Sequence, residues 1–378
     1  ATAGVAGDVA EEGAADEVGE LLIAACHCGA GADRLQSPPA LLRRRWANRS
    51  FCGPEPSLYD GCNPGFAKSI EEALVRVTML SGGVGGAKLA RGFAAMLGHE
   101  LTVIANVGDD DRIYGLAVSP DIDTIIYTMA GREGPHGWGL ADDPFIAMEA
   151  LGALPIDASF RIGDGDLATN LFRTDRLLAG WSLTWVTTAL ASAFGIAATI
   201  LPVTDDPLRT EVRVPDEGWI SFQEYFVSRH HADVVSDVRF RGSGFCRPAP
   251  GVIEALAGAD VIVIGPSNPI LSIWPILAVP GVADTIDAHH KVIGVSPLIG
   301  GTALKGPADR VLVSMGHSAG TAGVISSYSG LLTDLVIDDS DAQAMIGKPP
   351  RIHPASTRMD DLAASTKLAT RVLEIAAE

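Results

Sequence analysis

Cysteine is scarce in this sequence, five residues in 378, and four of them (Cys26, Cys28, Cys52 and Cys62) fall near its beginning. So few, so placed, cannot frame a chain of this length with disulfides, and a reducing, cytoplasmic setting is expected. Basic residues are few as well: 28 Lys plus Arg stand against 46 Asp plus Glu, a formal charge of -18. That balance repels a nucleic-acid backbone or an anionic membrane, and no basic patch offsets it, so neither is expected as a partner. Residues 1–33 hold no Lys or Arg, which excludes the positive start of a secretory signal. The one long charge-free stretch lies between Arg176 and Asp205. Ser182, Thr184, Thr187, Thr188 and Ser192 dilute it, and Gly195 and Pro202 divide it into a helix-sized and a strand-sized piece. No membrane span is expected there.

Residues 1–72 also lack any sustained helical or strand period; the first twenty carry six acids and no base. A stretch without a continuous apolar face cannot bury a core, so it reads as a disordered or non-native leader. Cys26, His27, Cys28, Cys52 and Cys62 have the chemistry of zinc ligands but not the spacing of a common zinc knuckle. The opening "VRVTMLSGGVGG" reads as a first strand and turn, and the native start is expected near Val75 or Val77.

What the rest of the chain has is alternation. Short Val- and Ile-rich runs at 75–81, 101–107, 260–266, 291–297, 309–315 and 334–338 read as buried strands. Helical repeats at 86–98, 166–180, 249–259 and 359–377 lie between them. The pattern predicts an α/β fold: a Rossmann-like, mostly parallel sheet with helices on both faces, over residues 73–378. Residues of about 115–245, mainly helical but with a hairpin turning at Asp216-Glu217-Gly218, are expected as an inserted cap over the carboxyl edge of the sheet.

Four stretches carry polar chemistry. "MLSGGVGGAKLARG" (79–92) places Gly82, Gly83, Gly85 and Gly86 between a strand and a helix, where free N–H groups and the helix N-terminus favour a phosphate. The dinucleotide fingerprint fails, because Lys88 stands at its third glycine and strand two ends on Asn106 where an acid would hold a ribose. A P-loop fails too, since Leu89 follows Lys88. "NVGDDDRIYGLAVSPDIDT" (106–124) gathers Asp109, Asp110, Asp111, Asp121 and Asp123 at the same edge. Carboxylates so crowded call for a cation, and Mg²⁺ shared with substrate phosphates is the expectation. "RIGDGDLATNLFRT" (161–174) offers Arg161, Asp164, Thr169 and Asn170, with Asp166 placed to cap the helix that follows. "IGPSNPILSI" (264–273) offers Ser267 and Asn268 beside a second helix start. A later strand and turn, 295–309, supplies Lys305. His136, His230, His231 and His317 read as surface or local structural residues, which with the failed fingerprint argues against a nicotinamide dehydrogenase.

Taken in order, "SGGVGGAKLARG", "NVGDD", "SPDIDTIIYTMAG", "GWGL", "GDGDLATNLFRT", "LPVTDDP", "FQEYFV", "GPSNPILSI" and "VSPLIGG" resemble the 2-phospho-L-lactate transferase family, which in bacteria acts as phosphoenolpyruvate transferase. The resemblance implies a Mg²⁺-dependent step in making coenzyme F-420. A guanosine diphosphate-linked three-carbon acid gives its phospho-acid group to the ribityl hydroxyl of the deazaflavin FO, and GMP leaves. It further implies a homodimer, FO contacts at Asp123 and Arg161, and a nucleotide side built from Gly82, Gly83, Gly85, Gly86, Lys88, Ser267 and Asn268. Asp109, Asp110 and Asp123 are the expected metal ligands, with Asp123 and Asp109 in catalytic roles. The family commonly has Arg where Gly165 stands here. A second family, of non-enzymatic nucleotide-sugar-binding regulators of the gluconeogenesis-factor type, resembles the chain in the glycine loop, but it lacks the "SPDIDT" and "GDGD" contexts.

Overall fold

The computed structural model describes residues 75–342 and 350–378; the leader assigned to residues 1–72, with its cysteine and histidine cluster, lies outside them. The strands in chain order are β1 (Val77–Ser81), β2 (Leu101–Ala105), β3 (Asp111–Ile113), β4 (Leu116–Val118), β5 (Thr199–Pro202), β6 (Arg209–Val214), β7 (Gly218–Ser221), β8 (Asp237–Arg241), β9 (Val261–Ile264), β10 (Val292–Val295), β11 (Leu298–Ile299), β12 (Thr302–Ala303), β13 (Asp334–Asp338) and β14 (Arg351–Ala355). The helices are α1 (Gly83–Leu97), α2 (Pro120–Met129), α3 (Ile146–Gly152), α4 (Asp164–Leu178), α5 (Leu183–Ala193), α6 (Val252–Gly258), α7 (Trp274–Leu277), α8 (Val282–Asp287), α9 (Ala308–Ser314), α10 (Thr321–Ser327) and α11 (Leu362–Ala377).

Seven strands form one sheet in the order β14-β13-β10-β9-β1-β2-β5, and every pair in it is parallel. Val77, Met79, Leu80, Val103, Ile104, Val263 and Ile264 are buried, as a sheet covered on both faces requires. The chain winds outward from β1 through β2 to β5, then returns to lay β9 on the other side of β1. The strand order therefore reverses between β1 and β9, and a crevice opens at their carboxyl ends, where open α/β sheets take their ligands.

The run at 309–315, expected as a strand, is the helix α9. Ala308, Val311 and Leu312 are buried while Val313 is exposed, a helical spacing, and β10 pairs directly with β13, leaving no place for a strand between them. The expected cap at about 115–245 is not one continuous insertion: β5 belongs to the central sheet and α2 packs against α1. What stands apart from the sheet is the β3–β4 hairpin, with a small apolar cluster around Val118, Met148 and Ile162, and a three-stranded sheet β7-β6-β8. Among the described residues no helix is long and apolar enough to cross a membrane.

Candidate functional site

The glycine turn after β1 is built for close approach. Gly83 has φ +65°, a left-handed conformation that favours glycine, and side chains at Gly85 and Gly86 would run into the Pro266 carbonyl and the Ser81 and Ser267 hydroxyls. The turns after β1 and β9 thus interlock, with the Gly82 N–H donating to Ser267 Oγ at 3.2 Å. Asn268 caps its own segment, its Oδ1 accepting from the Ile270 and Leu271 amides at 3.0 and 3.1 Å. Its oxygen is therefore spent locally. No side chain of the turn caps α1; instead the Gly83 N–H donates to Asp121 Oδ1 at 2.6 Å. A carboxylate thus already sits on the helix N-terminus that the sequence marks for a phosphate.

Asn106, at the end of β2, organises the acidic loop. Its Nδ2 donates to Asp121 Oδ2 at 2.8 Å and, more weakly, to Asp109 Oδ1 at 3.5 Å, while its Oδ1 accepts from the Gly108 amide at 2.8 Å. Gln223 Nε2 donates to the Asp109 carbonyl at 2.7 Å, tying the small sheet to the loop. Asp110 Oδ2 accepts from Ser119 Oγ at 2.9 Å, and its buried Oδ1 has no partner among the described residues. A cavity of about 100 Å³ opens here, lined in part by Asp109, Asp110, Asp111, Arg209, Phe222 and Gln223.

Two residues along α2 from Asp121, Asp123 is buried against Arg173 of α4: Arg173 Nη2 donates to Asp123 Oδ1, and its Nη1 donates to Asn170 Oδ1 at 2.6 Å. No donor among the described residues reaches Asp123 Oδ2. Asp166 accepts from the Tyr127 hydroxyl at 2.8 Å and from Asn170. It does not cap α4, as its position suggested. Asp143 takes that role from a distant loop, accepting from the Gly165 and Asp166 amides at 2.6 and 3.0 Å, and Asp164 in return caps α3 through the Ile146 and Ala147 amides. Capping from outside frees Asp166 to face inward.

Burial raises all four inner carboxyls above their ordinary range. Asp121 rises to about 6 and Asp110 and Asp123 to about 7, the Arg173 charge opposing the rise at the last two. Asp109 is raised as well, by burial first and then by repulsion from Asp121 and Asp110. Four such groups are poorly ionised together unless a cation joins them.

Of the expected site residues, Gly82, Gly83, Gly85, Gly86 and Ser267 meet Asp121 at the switch point, and Asp109, Asp110 and Asp123 lie along the loop and helix beside them. Arg161 is exposed, its guanidinium 4.7 Å from the Phe145 ring centre, and makes no contact with Asp123. Lys88 turns to the Met359 carbonyl at 2.7 Å. Arg173 and Asp143 escaped the sequence reading, which has Asn106 only as the end of strand two, not as the organiser of the acidic loop. Arg173 had a signal: Asp166, Asn170 and Arg173 recur at helical spacing, a polar stripe too regular for one cap.

An all-parallel sheet whose switch point carries a glycine turn faced by buried carboxylates defines a Rossmann-like protein with a site for a charged small molecule. The chain belongs to the family of 2-phospho-L-lactate transferase CofD, whose model matches residues 77–374. It is 42% identical to a phosphoenolpyruvate transferase of Kitasatospora aureofaciens over 72% of this chain and 87% of that protein. It is 36% identical to a 2-phospho-L-lactate transferase of Methanosarcina barkeri, over 79% of this chain and 96% of that one. In fold it is similar to a solved member of the upf0052 family from Bacillus halodurans, with a TM-score of 0.53 at 15% identity, covering 79% of this chain and 99% of that chain.

Proposed function

We propose that this transferase moves a phosphoenolpyruvyl or 2-phospholactyl group from a guanosine diphosphate-linked donor to the deazaflavin FO. The observation that carries the reading is the juxtaposition of the glycine turn with Asp109, Asp110, Asp121 and Asp123. In the reaction, the FO ribityl oxygen attacks the phosphorus that carries the three-carbon acid, the bond from that phosphorus to the GMP oxygen breaks, and the hydroxyl proton is lost. Such a displacement needs in-line placement and charge neutralisation more than covalent help from the protein.

The donor set fits Mg²⁺. Among the described residues no three His, Cys, Asp or Glu side chains are placed to hold a metal ion by themselves, but Mg²⁺ is usually held by one or two carboxylates plus substrate phosphates and water. Asp110 Oδ1, buried and without a partner, is an oxygen that such an ion would satisfy. Asp109 and Asp110, with Asp123 as a third candidate, would hold it; bound there, the ion supplies charge neutralisation at the diphosphate. Arg173 fixes one oxygen of Asp123 and leaves the other for the acceptor hydroxyl, which Asp123 would orient or deprotonate. Asp109 would support the same step, Arg161 would reach FO from the mouth of the site, and the glycine turn, Lys88, Ser267 and Asn268 would face the nucleotide. A cytoplasmic homodimer completes the reading, and sedimentation of the purified chain tests its second half.

Asp123→Asn is expected to lower turnover at least a hundredfold, the low end of what a positioned acid or base contributes, while guanosine diphosphate binding stays within about threefold of the native protein, a difference well under 1 kcal/mol. Near-native turnover would remove Asp123 from the chemistry.

A further inference from the structure

In a protein of formal charge -18, two lysines lie beside the glycine turn with no carboxylate partner among the described residues. The segment after α2 folds into a closed turn, with Gly134 N–H donating to the Gly139 carbonyl at 2.9 Å and Arg91 of α1 holding Glu133 at 2.9 Å. The tip of that turn lies on the first turn of α1. A Cβ built on Gly137 would stand 2.6 Å from Val84 Cγ1 and 3.3 Å from Lys305 Nζ. Lys305 donates to the His136 carbonyl at 2.6 Å. Lys88 lies four residues after Val84, on the same face of α1, and donates to the Met359 carbonyl.

Each ammonium thus spends one of its three donors on a carbonyl, and among the described residues neither has a carboxylate partner. Burial, and after it the charge of Lys88, lowers the Lys305 ammonium below the usual lysine range. Two cations held together at a cost, in an acidic protein, beside a glycine turn, are arranged for an anion that comes and goes.

We propose that Lys88 and Lys305 form a two-lysine clamp for an oxyanion, a phosphate or carboxylate group of the nucleotide donor, with the Gly134–Gly139 turn as the wall that holds Lys305 through the His136 carbonyl. Naming the donor rests on the transferase reading; the clamp itself does not. Lysine binds such groups as a point charge through its remaining donors.

Titration calorimetry on the full chain with guanosine diphosphate, inorganic pyrophosphate and neutral guanosine tests it without turnover. Lys305→Gln and Lys88→Gln should each weaken guanosine diphosphate binding about tenfold, the scale of one charge-assisted hydrogen bond. Unfolding temperature should be unchanged, and Lys305→Arg should keep most of the affinity. Pyrophosphate should displace guanosine diphosphate from the native protein and lose its hold on the double variant. If pyrophosphate binds and depends on both lysines but guanosine diphosphate binds no better, the clamp stands and the nucleotide donor fails. Unchanged binding in both single variants, or no binding of any anion by the native protein, overturns the clamp.

Discussion

Arg173 shows how much of this site is decided by one residue. It is fully buried, its guanidinium reaches Asp123, Asn170 and the Ala117 carbonyl, and its Nε has no partner. A cation in that setting is tolerable because Asp123 answers it. Arg173→Leu should therefore cost about 3–5 kcal/mol by leaving a buried carboxylate alone, and the double variant with Asp123→Asn should recover part of that loss. Urea unfolding of the three variants checks this; a loss in the double variant equal to the sum of the two single losses would mean that the pair is not coupled. The carboxylates that crowd 106–124 were legible because like charges in one short stretch need an explanation. Their counterpart was not, since Arg173 lies fifty residues away from Asp123 and only the fold brings α4 against α2.

Among the elements, legibility followed burial. The run Asp334 to Asp338 is a strand as read, and the charge-free stretch divides at Gly195 into α5 and β5 as its breakers indicated. Short apolar runs were ambiguous, which is why α9 read as a strand. β14 carries Pro354 and passed unnoticed; at the sheet edge a missing donor is tolerated. The capping of α4 was misread for a related reason. An acid inside the first turn looks like a local cap, but the amides of Gly165 and Asp166 point to Asp143, and a side chain at Gly163 would collide with that carboxylate. Asp143→Ala should destabilise the protein by about 0.5–2 kcal/mol, the usual worth of a helix cap, and increase amide exchange at the start of α4, whereas Asp164→Ala should act on α3. A change confined to α3 in both variants would contradict the reciprocal assignment.

For the whole molecule, the switch point between β1 and β9 sets where charge accumulates, and this has a thermodynamic consequence. Asp110, Asp121 and Asp123 ionise near 6 to 7 in the fold, against about 4 for an unfolded aspartate. The folded state therefore holds their protons more tightly, so its stability is greatest at low pH and is lost as pH rises from about 4 through 7. At the opposite edge of the sheet Asp334 behaves in the other direction. Burial would raise it, but hydrogen bonds from Arg351, His353 and Thr333 and the charge of Lys291 outweigh burial and hold it at about 2. Its contribution is constant from pH 5.5 to 7.5, a window of about two units that lies above both of its pKa values. Metal-free protein should consequently melt at a lower temperature at pH 7.5 than at pH 5.5, and Mg²⁺ should restore the loss at the higher pH, since an ion that binds the ionised carboxylates favours the fold. A melting temperature independent of both pH and Mg²⁺ would show that burial does not raise these carboxyls in the fold.

On the proposed reading, the glycine turn and the acidic loop together transfer a phospho-acid group from a nucleotide to a deazaflavin. Incubating the protein with FO, Mg²⁺ and guanosine-linked phosphoenolpyruvate, phospholactate or phosphoglycerate, and following the products by mass spectrometry, tests it most directly. FO should gain the mass of the phospho-acid group as GMP appears in equal amount, with one donor preferred. Binding of the nucleotide with no change in the mass of FO, for any of the three donors, would contradict it.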